Sequence, residues 1–120
     1  MQYMLLIYGS EAGMKQSTSG DTAVMMKEYA DFTSAIVKSG HMRAGDALQP
    51  TSTATTVRVR DGKTLQTDGP FAETKEQLGG YYLIEAKDLD EAVKIAARIP
   101  GAKSGSIEVR PVRVFAKPAS

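Results

Sequence analysis

Gln2-Tyr3-Met4-Leu5-Leu6-Ile7-Tyr8 is apolar at both parities, with Tyr3, Leu5 and Ile7 on one side and Met4, Leu6 and Tyr8 on the other. A strand of that kind lies in the middle of a sheet covered on both faces, because a strand with one wet face alternates. The same pattern returns at Gly80 to Ala86, where Tyr81 and Leu83 share one parity and Tyr82, Ile84 and Ala86 the other. Two doubly apolar strands far apart in the chain define the centre of a sheet, and the segments between and around them supply its edges and cover.

Between them, Gly9 to Gly20 is rich in Gly, Ser and Thr and reads as a loop, with Asp21 as the expected N-cap. Met25, Tyr29, Phe32 and Ile36 then recur at helical spacing, which predicts a helix over Thr22 to Ser39 that Gly40 stops. Arg43 to Leu48 reads as a short strand ended by Pro50. Thr55, Val57 and Val59 alternate with Thr56, Arg58 and Arg60, and Asp61-Gly62 supplies a two-residue hairpin turn before Lys63 to Thr67. This hairpin is expected to have one wet face. Which of Arg43 to Leu48 and Thr55 to Arg60 is the formal second strand stays open, and the hairpin reads equally as an insertion.

Asp88 to Glu91 fits a capping start, followed by a small-residue stripe of Ala92, Val93, Ala96 and Ala97 that lets a helix lie close to a sheet. Pro100-Gly101 ends it. The last strand is expected from Ser106 to Phe115, and Pro111 assigns it to an edge because proline cannot donate a ladder hydrogen bond. The expectation is an α+β fold: a ferredoxin-like βαββαβ unit with an antiparallel sheet in the order 4-1-3-2 and an extra hairpin. One domain is expected over residues 1–116, with 117–120 a loose C-terminal tail. Both helices of this topology pack on one sheet face, so a second copy is expected on the other, giving a homodimer.

Composition excludes several classes of function. With 120 residues and a formal net charge of +1, the chain supplies no strong field for capturing nucleic acid or anionic lipid. It has no cysteine and one histidine, which rules out a disulfide framework, a thiol nucleophile and a thiolate zinc site. No apolar run approaches the roughly 18 residues of a membrane span. The N-terminal segment lacks a basic leader, so the expected setting is the cytoplasm, with no membrane partner, no metal and no cofactor. Gly62-Lys63-Thr64 matches the end of a phosphate-binding loop, yet Val57 stands where the first glycine belongs and a hairpin follows instead of a helix.

The most distinctive stretch is Asp68-Gly69-Pro70-Phe71-Ala72-Glu73-Thr74-Lys75-Glu76-Gln77-Leu78-Gly79-Gly80. With it, and with Tyr3 to Tyr8, Tyr81 to Ile84, Asp88 to Ala92 and Glu108 to Val112, nearly the whole chain resembles the YCII-related family in its DGPF-domain branch. The resemblance implies a dimeric α/β barrel of ferredoxin-like subunits. It also implies one of two roles: an enzyme, as proposed for relatives with a histidine and an aspartate in a cleft, or a regulatory module, since such proteins are often encoded beside alternative sigma factors. It supplies no motif position for His41.

From the residues themselves, a small organic molecule is expected to bind in a cleft near this loop. Asp68 is the candidate general acid or base, Glu73 or Glu76 its partner, and Lys75 a stabiliser of developing negative charge. Competing with this, Asp68 makes an Asx-turn, Pro70 fixes the backbone, Phe71 anchors the loop in the core and the charges are solvated. Tyr8, Phe71, Tyr82 and Arg110 are the candidate ligand-binding residues, against core packing for the tyrosines and cross-strand pairing of Arg110 with Glu108. His41 reads either as a catalytic base or as a cation at a helix C-terminus, where it favours the dipole. Arg58 and Arg60 on the hairpin offer a nucleic-acid contact that the neighbouring acidic residues oppose. The alternative function is a non-enzymatic interaction module.

Overall fold

The first strand, β1 (Gln2–Gly9), is followed in the computed structural model, which describes residues 1–115, by a single helical turn α1 (Glu11–Met14) and the long helix α2 (Ser19–Lys38). Then come β2 (Met42–Ala47), a 3-10 turn at Thr51–Thr53, the hairpin strands β3 (Thr55–Arg60) and β4 (Lys63–Asp68), and β5 (Gln77–Glu85). Helix α3 (Leu89–Ala96), a second 3-10 turn at Pro100–Lys103 and β6 (Ser106–Pro111) complete the fold. The main sheet has the order β2-β5-β1-β6 with every neighbouring pair antiparallel. The two doubly apolar strands are therefore central and β6 lies at an edge, an α+β arrangement compatible with a ferredoxin-like fold. Met42–Ala47 is the second strand of this sheet, and the β3–β4 hairpin is an insertion forming its own two-stranded sheet.

The core lies between the sheet and the helices. Tyr3 and Leu5 of β1 and Tyr82 and Ile84 of β5 meet Phe32 and Ile36 of α2 and Ala92, Ile95 and Ala96 of α3, all buried. Full burial of each large aliphatic side chain contributes about 1.5–3 kcal/mol. Phe32 packs edge-on against Tyr82, with ring centroids 5.2 Å apart, and the Tyr82 hydroxyl shares a 2.7 Å hydrogen bond with Thr33. On the opposite parity Met4, Leu6, Tyr8, Tyr81 and Leu83 are only half-buried. The chain measures 20 Å along its thinnest axis, room for one sheet and one helix layer about 10 Å apart, so this second sheet face is open in a single chain.

Several expectations need correction. Helix α2 begins at Ser19, because Thr18 is its N-cap. Thr18 Oγ1 accepts from Asp21 N at 3.1 Å while Asp21 Oδ2 accepts from Thr18 N at 3.3 Å, so Asp21 closes a capping box from inside the helix. The helix ends as expected, with Gly40 at φ +79. The buried stripe of α3 is Ala92, Ile95 and Ala96, continuing to Ile99; Val93 and Ala97 are exposed. Strand β6 stops at Pro111, and the last ladder bond runs from Val112 N to Gln2 O, where β1 begins. Val114 and Phe115 are exposed. The expected tail at 117–120 lies outside the described residues.

The hairpin departs most from expectation. Its turn is as read, with Asp61 at φ 52 and Gly62 at φ 74. Its apolar side, however, is as wet as its charged one, Val57 and Val59 each being 60% exposed. The reason is topological: the hairpin pairs only with itself and no helix lies over it. Its base is pinned by Gly69 N donating to Ala54 O and Thr56 Oγ1 donating to Gly69 O.

Candidate functional site

Loop 69–76 leaves β4 at Asp68, turns through Gly69 at φ +94 and reaches β5 at Gln77. Against it lies a cleft of about 260 Å³ lined by Thr51, Pro70, Ala72, Glu73, Thr74 and Gln77. The walls come from two parts of the chain, Thr51 and residues 70–77, and Glu11, from a third, holds them together. Its carboxylate accepts from Thr51 N at 2.9 Å and from Thr51 Oγ1 at 2.5 Å, and its own N–H donates to Gln77 Oε1 at 2.9 Å. Ser10 caps the turn that presents Glu11, accepting from Gly13 N. Gln77 Nε2 donates onward to the Thr74 carbonyl, Thr74 Oγ1 donates to Glu76 O, and Ser106 Oγ donates to Glu76 Oε1. The hydroxyl and N–H of Thr51 hold the Glu11 carboxyl below the usual glutamate range, with a smaller contribution from Lys15, so it is ionised at neutral pH.

The candidate residues read from sequence do not converge. Glu73 lines this cleft. Asp68 is exposed at the end of β4, opposite Thr55, and its side chain forms no hydrogen bond among the described residues, so the expected Asx-turn is not made. Lys75 is exposed on the same loop. Phe71 is 79% exposed and does not anchor the loop in the core, since the loop is held by polar bonds at its two ends. Tyr82 faces the helices with its hydroxyl on Thr33. Tyr8 lies on the open sheet face, and Arg110 sits on edge strand β6 beside Glu108 at 3.3 Å. Glu11, Thr51 and Gln77 were missed by sequence reasoning; the available signal was Ser10-Glu11, a cap followed by an acid directly after a strand.

A second recess, of about 350 Å³, lies at the other end of the sheet beside His41, Glu85, Lys87 and Glu91. His41 Nε2 is 3.1 Å from Glu91 Oε1 and Nδ1 is 2.7 Å from Ser39 Oγ, so the histidine ties the end of α2 to the start of α3. Lys87 N donates to the same Glu91 oxygen, and Asp88 caps the helix through Glu91 N. On the open sheet face a row crosses all four strands: Asp46, Tyr81, Leu6 and Glu108 stand in register. The Tyr81 hydroxyl donates to Asp46 at 2.6 Å, which with that carboxylate's charge raises the phenol above its usual range. Glu108 Oε1 is buried without a hydrogen-bond partner among the described residues.

Among the described residues no group of three or more His, Cys, Asp or Glu side chains is placed to hold a metal ion, and no helix is long and apolar enough to cross a membrane. The fold is similar to that of 5-chloro-2-hydroxyhydroquinone dehydrochlorinase from Burkholderia phenoliruptrix AC1100, solved in complex with 2,5-dihydroxybenzoquinone. That likeness has a TM-score of 0.50 at 13% identity over 94% of each chain, and it is a likeness of fold. In sequence, an uncharacterized protein of Rhizobium meliloti (strain 1021) is 37% identical over 117 residues, 96% of this chain and 94% of the relative. The YCII-related domain matches residues 1–116, and the chain belongs to the YCII-related family.

Proposed function

We propose that this protein binds a small organic molecule in the cleft beneath the Asp68–Glu76 loop, as a DGPF-type member of its family. The observation that carries the reading is the Glu11 brace, which ties by directed hydrogen bonds the two segments lining a cleft of about 260 Å³. A preorganised polar wall of this kind lowers the ordering cost that a ligand meets on binding. Acid–base chemistry at the site falls to Glu73, the carboxylate on the wall, with Lys75 on the same loop and Asp68 at the end of β4. Tyr8, Phe71 and Arg110 border more open surface and contribute less; Tyr82 serves the core. The related fold of the Burkholderia enzyme holds a small quinone, which agrees in scale with a small ligand here.

The same reading has two copies packing through the open sheet faces as a dimeric α/β barrel, which would cover Met4, Leu6 and Leu83. A second reading, a non-enzymatic interaction module, is favoured by that open face alone. Calorimetric titration of the wild-type protein with a panel of small acids, amines and aromatics separates the two. Saturable binding that Glu11→Gln weakens supports the cleft; no binder across the panel overturns it.

A further inference from the structure

The hydrogen-bond inventory of the cleft wall states what kind of ligand it suits, given that the cleft binds a small molecule at all. The side-chain donors facing it are engaged apart from one N–H of the Gln77 amide. The Thr51 hydroxyl donates to Glu11, the Thr74 hydroxyl donates to Glu76 O at 2.6 Å, and the Gln77 amide donates to the Thr74 carbonyl while its oxygen is occupied by Glu11 N. Pro70 has no N–H to offer; the backbone N–H groups of Ala72, Glu73 and Thr74 have no partner among the described residues and remain as neutral donors. Neutral donors and acceptors are thus both left over, and what distinguishes ligands is fixed charge: the carboxylate of Glu73 on the wall pairs with no cation among the described residues. Behind Thr51, Glu11 adds a second negative charge that its hydrogen bonds keep ionised. Lys15, the cation nearest Glu11 in effect, and Lys75 are both outside the lining.

We infer that the cleft between Thr51, Glu73 and Gln77 selects a small organic cation, an amine or amidine whose N–H groups donate to Glu73 and the threonine oxygens while its hydrocarbon part rests on Pro70 and Ala72. A carboxylate ligand meets Glu73 and Glu11 as like charges. A neutral ligand forgoes the charge-assisted hydrogen bond, the stronger kind. At about 260 Å³ the cleft is below the ~300–1,000 Å³ common for drug-sized ligands, which restricts the occupant to a compact molecule.

Three probes of nearly identical size and shape test this: benzamidinium, benzamide and benzoate, titrated calorimetrically and followed by amide chemical shifts. Benzamidinium is expected to bind about tenfold or more tighter than the other two. It should shift the amides of Thr51, Glu73 and Gln77 and weaken as salt is raised. Glu73→Gln is expected to remove that preference while leaving the fold, judged by circular dichroism, unchanged. Benzoate binding tightest at these amides, or Glu73→Gln leaving benzamidinium affinity unaltered, overturns the cation inference and spares the small-molecule reading. Silence from all three probes at millimolar concentration overturns both.

Discussion

Glu11 and Thr51 join two turns that the sheet itself leaves separate, the one after β1 and the one after β2, through a carboxylate that takes both the N–H and the hydroxyl of a single residue. Glu11→Gln keeps the shape, loses the charge and, with one acceptor oxygen in place of two, can accept only one of the two bonds. The folded carboxyl is held below its ordinary value of 4.5, so its stabilisation is fully present above that value and disappears as pH falls through the lower folded one. The expected outcome is a variant with a lower melting temperature than wild type at neutral pH, the gap closing as pH drops below about 4. Thermal melts across that range check it; a gap that widens on acidification contradicts the assignment.

Tyr82 separates a core role from a ligand role. Its ring is buried against Phe32 and its hydroxyl meets Thr33. Tyr82→Phe therefore removes one partly buried hydrogen bond and is expected to cost about 1 kcal/mol in chemical denaturation. Ligand affinity at the loop should not change. A loss of binding with stability intact would return Tyr82 to the site.

The open sheet face predicts self-association. Leu6 lies in register between Tyr81 and Glu108, whose Oε1 already lacks a partner among the described residues. Leu6→Glu sets a second carboxylate beside it, tolerable against water and costly against a packed second copy. Sedimentation equilibrium should show a wild-type dimer and a folded Leu6→Glu single chain. A wild-type single chain at high micromolar concentration, or a variant that still pairs, removes the sheet face as the interface.

At the start of α2, Thr18→Ala deletes one half of the capping box and is expected to cost about 1 kcal/mol. Asp21→Ala should cost less, since the N-cap hydroxyl still reaches the N3 amide. Urea titrations of the two variants rank them; the reverse order would restore Asp21 as the cap residue.

The arrangement of the main sheet was readable because burial on both faces leaves a mark on every residue of a strand. Tyr3 to Tyr8 and Tyr81 to Ile84 carry that mark, and Pro111 carries the complementary mark of an edge. The hairpin turn at Asp61-Gly62 was equally plain, since it needs a particular backbone conformation at two adjacent residues. Alternation at Val57 and Val59 misled, because alternation reports two different faces and not that anything covers one of them. The candidate site was harder. Loop 69–76 was visible as a cluster of charges, but its organiser, Glu11, lies in a Ser- and Gly-rich segment whose partner is 40 residues away, and polar contacts at such range have no period in sequence. Phe71 was read inward on hydrophobicity alone, yet a loop clamped by hydrogen bonds at both ends has no need of an apolar anchor.

Because β3 and β4 bond to each other and to no strand of the main sheet, their length and side chains can drift without altering the register of β2, β5, β1 and β6. The cleft opens at the root of that appendage, with Thr51 before it and Pro70 to Thr74 after it. Selection on what enters the cleft is thereby uncoupled from selection on whether the chain folds, and diversity among homologues should concentrate in the finger and its two flanking turns while the central strands keep their apolar pairs.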